Sequence, residues 1–139
     1  MTERTSVDTH VLVYAHDTPD PLKQRIAAGI VARLWDDRSG VLSTQVLQEF
    51  YAETTRRWDP KLPRPLARQL VAAYGQWHLV QVDAPLILAA TDLEERLTLS
   101  FWDALILEAA QRAGASLLLS EDFQHGRTIG GTRIENPFA

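Results

Sequence analysis

The chain has 139 residues, 45% of them hydrophobic, and a formal net charge of -4; a chain of this size can bury roughly two-thirds of its unfolded surface, so one domain over residues 1–139 is expected. It contains no cysteine, which excludes disulfides, thiolate metal sites and cysteine nucleophiles and fits a reducing, cytoplasmic setting. No run approaches the roughly 20 apolar residues of a membrane helix, and "MTERTSVDTHVLVYA" lacks a signal-peptide pattern, so no membrane association is expected.

A short strand around Thr5 to Val7 ends at Asp8, and Val11 to Ala15 continue as a short helix. "TPDP" (Thr18 to Pro21) reads as a turn. Ile26, Ile30, Leu34 and Trp35 recur at helical spacing between Leu22 and Asp36, and "RSG" ends that helix. Val41 and Leu42 form a second strand; Ser43 is placed to cap a helix from Gln45 to Arg57 that buries Val46, Leu47, Phe50 and Tyr51. A proline-rich connector, Trp58 to Pro65, leads to a helix from Leu66 to Trp77 and a strand from His78 to Val82. The next helix, Ala84 to Leu97, carries Pro85 in its tolerant first turn. Ser100 to Arg112 is an apolar helix closed by Gly114, "ASLLLSED" a buried strand ending in a polar cluster, and Arg133 to Glu135 a last short strand. Trp35, Trp77, Phe50 and Tyr51 are read as core; Trp102, beside Asp103, either stacks on a base or packs against neighbouring helices, the second being favoured. Strands alternating with long helices predict an α/β fold, a three-layer α/β/α sandwich around a mostly parallel sheet. Ligands in such folds bind beyond the carboxyl ends of the strands.

Four carboxylates fall at strand-to-helix junctions. Asp8 follows the first strand, Glu49 lies one to two turns into the helix after the second, Asp103 is in the first turn of its helix, and Asp122 follows "SLLLS". All four can face one edge of the sheet. Like charges brought together raise one another's pKa values, so such a group shares protons or needs a cation. An all-oxygen set suits Mg²⁺ or Mn²⁺. An ion of this kind lowers the pKa of water and neutralises charge on a phosphate, which points to phosphodiester hydrolysis. Each acid also has a purely structural account. "SFWD" is a capping box that would employ Asp103, Asp8 can cap a helix, Glu121 or Asp122 can close a turn, and helices carry many glutamates like Glu49. A phosphatase forming a phosphoaspartate would use Asp8 but would want a second aspartate where His10 stands. A DNA nuclease and an inactive interaction module are the other rivals. The four histidines lack zinc-type spacing, His125 reads as a loop residue, and no glycine elbow presents a serine nucleophile.

Charge is unevenly spread. From Glu53 to Arg68 five basic residues, Arg56, Arg57, Lys61, Arg64 and Arg68, face two acidic ones; from Asp83 to Asp122 eight acidic residues face only Arg96 and Arg112. The basic arm is a candidate track for RNA phosphates, which would position a nucleic acid without reading its sequence. Arg56, seven residues after Glu49, is expected to share its helical face.

"SVDTHVLVYA", "STQVLQEFY", "LSFWDALILEAA", "LLLSEDFQHG" and "RIENPF" together resemble the successive blocks of the PIN domain, in particular the VapC-type toxins of prokaryotic toxin–antitoxin pairs, over Ser6 to Phe138. The resemblance implies a PIN-like sandwich and an Mg²⁺-dependent endoribonuclease, with Mn²⁺ as a substitute. It also implies a homodimer and a cognate antitoxin that occludes the site. The family's four acidic positions fall on Asp8, Glu49, Asp103 and Asp122, as catalytic and metal-holding residues, and its small hydroxyl residue on Thr9. His10 stands where many members carry Asn. Ser120 is placed to hold water, and either Glu121 or Asp122 completes the set, with Asp122 favoured.

Overall fold

The computed structural model describes residues 3–16, 19–57 and 59–139. β1 (Thr5–Val7) is buried along its length and pairs in parallel with β2 (Gly40–Ser43) on one side and β4 (Leu117–Leu119) on the other. β3 (His78–Val80) extends the sheet beyond β2, and β6 (Thr132–Glu135) extends it beyond β4 in parallel. β5 (Thr128–Ile129) adds an antiparallel edge, giving the order β3-β2-β1-β4-β6-β5. The chain builds outward from β1 to one side and then returns to its other side at β4. The gap between the carboxyl ends of β1 and β4 is therefore the switch point where doubly wound sheets open a crevice.

The helices fall into two sets. α1 (Thr9–Tyr14) packs on α2 (Pro21–Asp37) and on α3 (Thr44–Ala52), which in turn packs on α4 (Arg64–Tyr74). α5 (Ala84–Leu97) packs on α6 (Phe101–Arg112), which lies against β2 and β4. Val7, Leu42 and Leu118 of the sheet are fully or almost fully buried with Leu12, Phe50 and Leu107 of the helices. Starts are set by side-chain caps: Asp20, Ser43, Asp83 and Ser100 each accept a first-turn amide.

Several boundaries differ from expectation for local reasons. Asp17, Thr18 and Trp58 lie outside the described residues, so the first residue of the "TPDP" turn is not assessed; its last two residues instead start α2, with Asp20 as cap and Pro21 in the first turn. The connector is shorter than predicted, because Pro65 sits in the first turn of α4, which ends at Tyr74 rather than Trp77. The helix after β2 changes hand-hold at Ala52: Glu53–Arg57 form a π-helical turn. There Thr54 and Thr55 donate hydroxyl hydrogen bonds back to the carbonyls of Phe50 and Tyr51, at 2.7 and 2.6 Å, which competes with the regular ladder. The third strand stops at Val80, and Val82 instead donates its N–H to Thr44 Oγ1. β5 escaped the sequence reading because it is two residues long; Gly130 and Gly131, at φ 55° and 85°, supply the turn that joins it to β6. Gly40 is fixed by contact, since a Cβ there would lie 2.2 Å from the Trp77 ring. The two tryptophans nearby are not deep core: Trp77 is half-buried and Trp35 is exposed. Among the described residues, no helix is long and apolar enough to cross a membrane.

Candidate active site

The Asp8 amide donates to the Leu119 carbonyl at 2.9 Å, carrying the β1–β4 pairing one residue past the strand. That register sets Asp8 beside Ser120, whose hydroxyl donates to Asp8 Oδ2 at 2.8 Å. Asp8 Oδ1 meanwhile accepts the Thr9 amide at 2.7 Å, so Asp8 is also the cap of α1. Thr9 Oγ1 donates to Glu49 Oε1 at 2.8 Å, tying α1 to α3. From β4, the Ser120 hydroxyl also accepts the Asp122 amide at 3.4 Å, and Asp122 Oδ2 lies 3.2 Å from His10 Nδ1. The Asp103 amide donates to Ser100 Oγ at 3.1 Å, the Ser100 half of the predicted capping box.

Asp8, Glu49, Asp103 and Asp122 thus line one cleft of about 150 Å³, together with Thr9 and His10. Burial raises the Asp8 pKa; hydrogen bonds from Ser120 and the Thr9 amide pull it down, and the charges of Glu49 and Asp103 push it up again. Burial likewise raises Asp103, against the Ser100 hydroxyl and with the charge of Asp122. The acids of the cleft therefore feel one another's charge across elements far apart in the chain. Their carboxylates point to different hydrogen-bond donors, and among the described residues no three Asp, Glu or His side chains converge on one metal-sized point. The donor set is nonetheless all oxygen and net negative, the chemistry of a hard divalent cation.

Glu121 does not line the cleft. Its Oε1 receives Lys23 Nζ at 2.6 Å, a contact that raises the Lys23 pKa, and the same ammonium lies 4.9 Å from the Tyr14 ring centre. Asp122 is the member of that pair facing the other acids. His125 serves its loop: its Nδ1 accepts the Asn136 amide at 2.8 Å.

The basic residues are placed differently from expectation. Arg56 does not join Glu49 at the cleft. It borders an apolar groove between α3 and α4, of about 440 Å³, with Leu47, Tyr51, Arg68 and Val71. The cause is the π-helical turn, whose wider winding slips the angular register after Ala52 and brings Arg57 rather than Arg56 toward the acidic side. Arg57 Nη1 bonds Glu53 Oε1 at 2.9 Å, and Glu53 itself lines the cleft. Lys61 and Arg64 are exposed on the connector and at the start of α4.

Three further lining residues had readable signals. Gln45 and Glu53 lie four residues before and after Glu49, and Ile106 three after Asp103, all on the same helical faces. Trp102 does not follow the favoured expectation of packing between helices: it is 62% exposed and lines the cleft.

A family model described as the PIN domain matches residues 6–129. The chain belongs to the PIN-domain family. This PIN domain is 31% identical over 117 residues to "Ribonuclease VapC7" of Mycobacterium tuberculosis, a match covering 84% of this chain and 80% of that protein. Its fold is shared with three solved structures. A toxin–antitoxin complex from Klebsiella pneumoniae superposes with a TM-score of 0.70 at 15% identity, covering 96% of this chain and 97% of that one. VapBC2 from Rickettsia felis, bound to a DNA fragment from its promoter, gives 0.64 at 16% identity, with coverage of 95% and 97%. VapC20 of Mycobacterium tuberculosis, described as a Sarcin-Ricin loop cleaving toxin, gives 0.61 at 21% identity over 82% and 86%. This PIN domain is accordingly a homologue of the VapC-type toxins.

Proposed function

We propose that the chain is a divalent-metal-dependent endoribonuclease and the toxin of a toxin–antitoxin pair, working as a homodimer in the cytoplasm and held inactive by a cognate antitoxin. The observation that carries this reading is the gathering of Asp8, Glu49, Asp103 and Asp122 in one small cleft at the sheet's switch point. Folding alone disfavours such a gathering, because burial and mutual charge raise the pKa values of Asp8 and Asp103. The names of the related proteins, a ribonuclease and toxins of antitoxin complexes, favour RNA as substrate and an antitoxin as partner.

Asp8, Glu49, Asp103 and Asp122 would hold Mg²⁺ or Mn²⁺. When bound, such an ion supplies positive charge against a phosphate and makes water more acidic. The chain's own residues do the positioning. Ser120 fixes one oxygen of Asp8, Thr9 orients Glu49 from the adjacent helix, and His10 restrains Asp122. Glu121 keeps to Lys23 and leaves the cleft to Asp122.

The test is cleavage of RNA oligonucleotides with and without Mg²⁺. Wild-type protein should cut internal linkages only with metal, and Asp103→Asn should lower the rate by at least about 100-fold, the scale of losing a preorganised electrostatic group, with an unchanged circular dichroism spectrum. Release of phosphate from simple monoesters without RNA cleavage would instead favour a phosphatase.

A further inference from the structure

We propose that Trp102 is a stacking platform for an unpaired base of the RNA strand beside the scissile phosphate. This rests on the nuclease reading and adds to it a residue that engages the substrate's bases. The acidic cleft, at about 150 Å³, has room for a phosphate group and a few waters. A whole nucleotide does not fit, so the base must lie at the mouth. Among the described residues, Trp102 is the exposed large apolar side chain that lines this cleft; the others, such as Leu22, Trp35 and Leu88, lie elsewhere.

The position is deliberate in its physics. The rest of α6 buries Ala104, Leu105, Ile106, Leu107, Ala109 and Ala110, so an exposed indole on this helix forgoes apolar burial that its neighbours obtain. The ring has an aromatic neighbour, and the backbone that carries it is tied to α3. Phe101 packs edge-on to it with ring centres 5.2 Å apart, and Gln45 Nε2 donates to the Trp102 carbonyl at 3.5 Å. Adjacent residues on a helix are about 100° apart, so Trp102 flanks Asp103 without covering it. A phosphate attracted by the divalent cation that the acids would hold thereby leaves its base beside a large π-face, the arrangement by which proteins hold unpaired bases.

The experiment uses the full chain, with Mg²⁺ and an RNA oligonucleotide that the wild type cleaves, together with versions abasic on either side of the cleaved bond. Trp102→Ala should raise KM about 10- to 100-fold, the scale of losing one stacked base, with kcat and thermal stability little changed, and Trp102→Phe should recover most of the loss. One abasic position should penalise the wild type by a similar factor and Trp102→Ala hardly at all, because the two changes delete the same contact. A KM within about twofold of wild type, or an abasic penalty equal in both proteins, overturns the proposal. So does a Trp102→Ala defect that disappears at high protein concentration alongside a dimer-to-monomer shift in sedimentation, which would assign the indole to a subunit interface. Wild-type protein that neither binds nor cleaves RNA removes the nuclease reading itself, and this inference with it.

Discussion

Asp8 accepts the Thr9 amide and the Ser120 hydroxyl, yet its pKa still lies above the ordinary carboxylate value because burial outweighs both bonds. The linkage follows directly. The folded protein binds a proton more tightly at this site than the unfolded chain, whose Asp titrates near 3.8. Raising the pH from 3.8 through the folded pKa therefore costs stability, and the cost persists at neutral pH. Asp8→Asn removes the charge while its amide oxygen can still cap α1. In metal-free buffer at pH 7 the variant should be more stable, by about 1 kcal/mol or roughly 3–5 °C in Tm. The gain should vanish below pH 3.8, where the wild-type carboxyl is also neutral. Mg²⁺ should raise the wild-type Tm and leave the variant's unmoved. Melting curves at three pH values, with and without metal, check all of this; a variant less stable than wild type at pH 7 would mean the carboxylate is retained for the fold.

At the scale of elements, α5 ends on Thr98 at φ 55°, a left-handed cap in a β-branched residue. Glycine adopts this geometry without the Cβ clash. Thr98→Gly should therefore stabilise the protein by about 1 kcal/mol, visible as a higher urea midpoint at constant m-value, and RNA cleavage should be unaffected because Thr98 is not among the residues lining the cleft. The same scale explains what the sequence disclosed. Caps at Ser43 and Ser100, the run at Leu117 to Leu119 and Pro85 in a tolerant first turn are local signals, and the elements they mark are present. The placement of the four acids at junctions was legible as a pattern, because strand-to-helix junctions of a parallel sheet gather at its crevice end, but which of Glu121 and Asp122 turns into the cleft depends on the Lys23 contact. What was not legible depends on geometry accumulated along the chain. The π-helical turn has the composition of an ordinary helix end, and its slip in register decides that Arg57, not Arg56, meets Glu53. Trp102 reads as packed by hydrophobicity, yet it is exposed at the cleft.

For the whole molecule, a net charge of -4 sets a problem for any polyanion approaching an acidic cleft. Five cations are held in ion pairs: Lys23 with Glu121, Arg57 with Glu53, Arg96 with Asp92, Arg112 with Asp83 and Arg133 with Glu135. Among the described residues no carboxylate pairs with Arg56, Lys61, Arg64 or Arg68, and these follow one another from the π-helical turn through the connector into α4. An unpaired cation binds phosphate by releasing a counterion, whereas Arg57 must first give up Glu53. Replacing the four unpaired residues with Gln in an Asp103→Asn background, which binds without cutting, should weaken RNA binding. It should also reduce the slope of log K against log salt by as much as about 3, at about 0.7 per phosphate contact on a single strand. Arg57→Gln should change that slope much less, since it removes a charge already matched by its neighbour. Fluorescence anisotropy across a salt series reads both. A slope untouched by the fourfold change would mean that RNA reaches the acids along some other face, and that the basic arm serves the apolar groove between α3 and α4 instead.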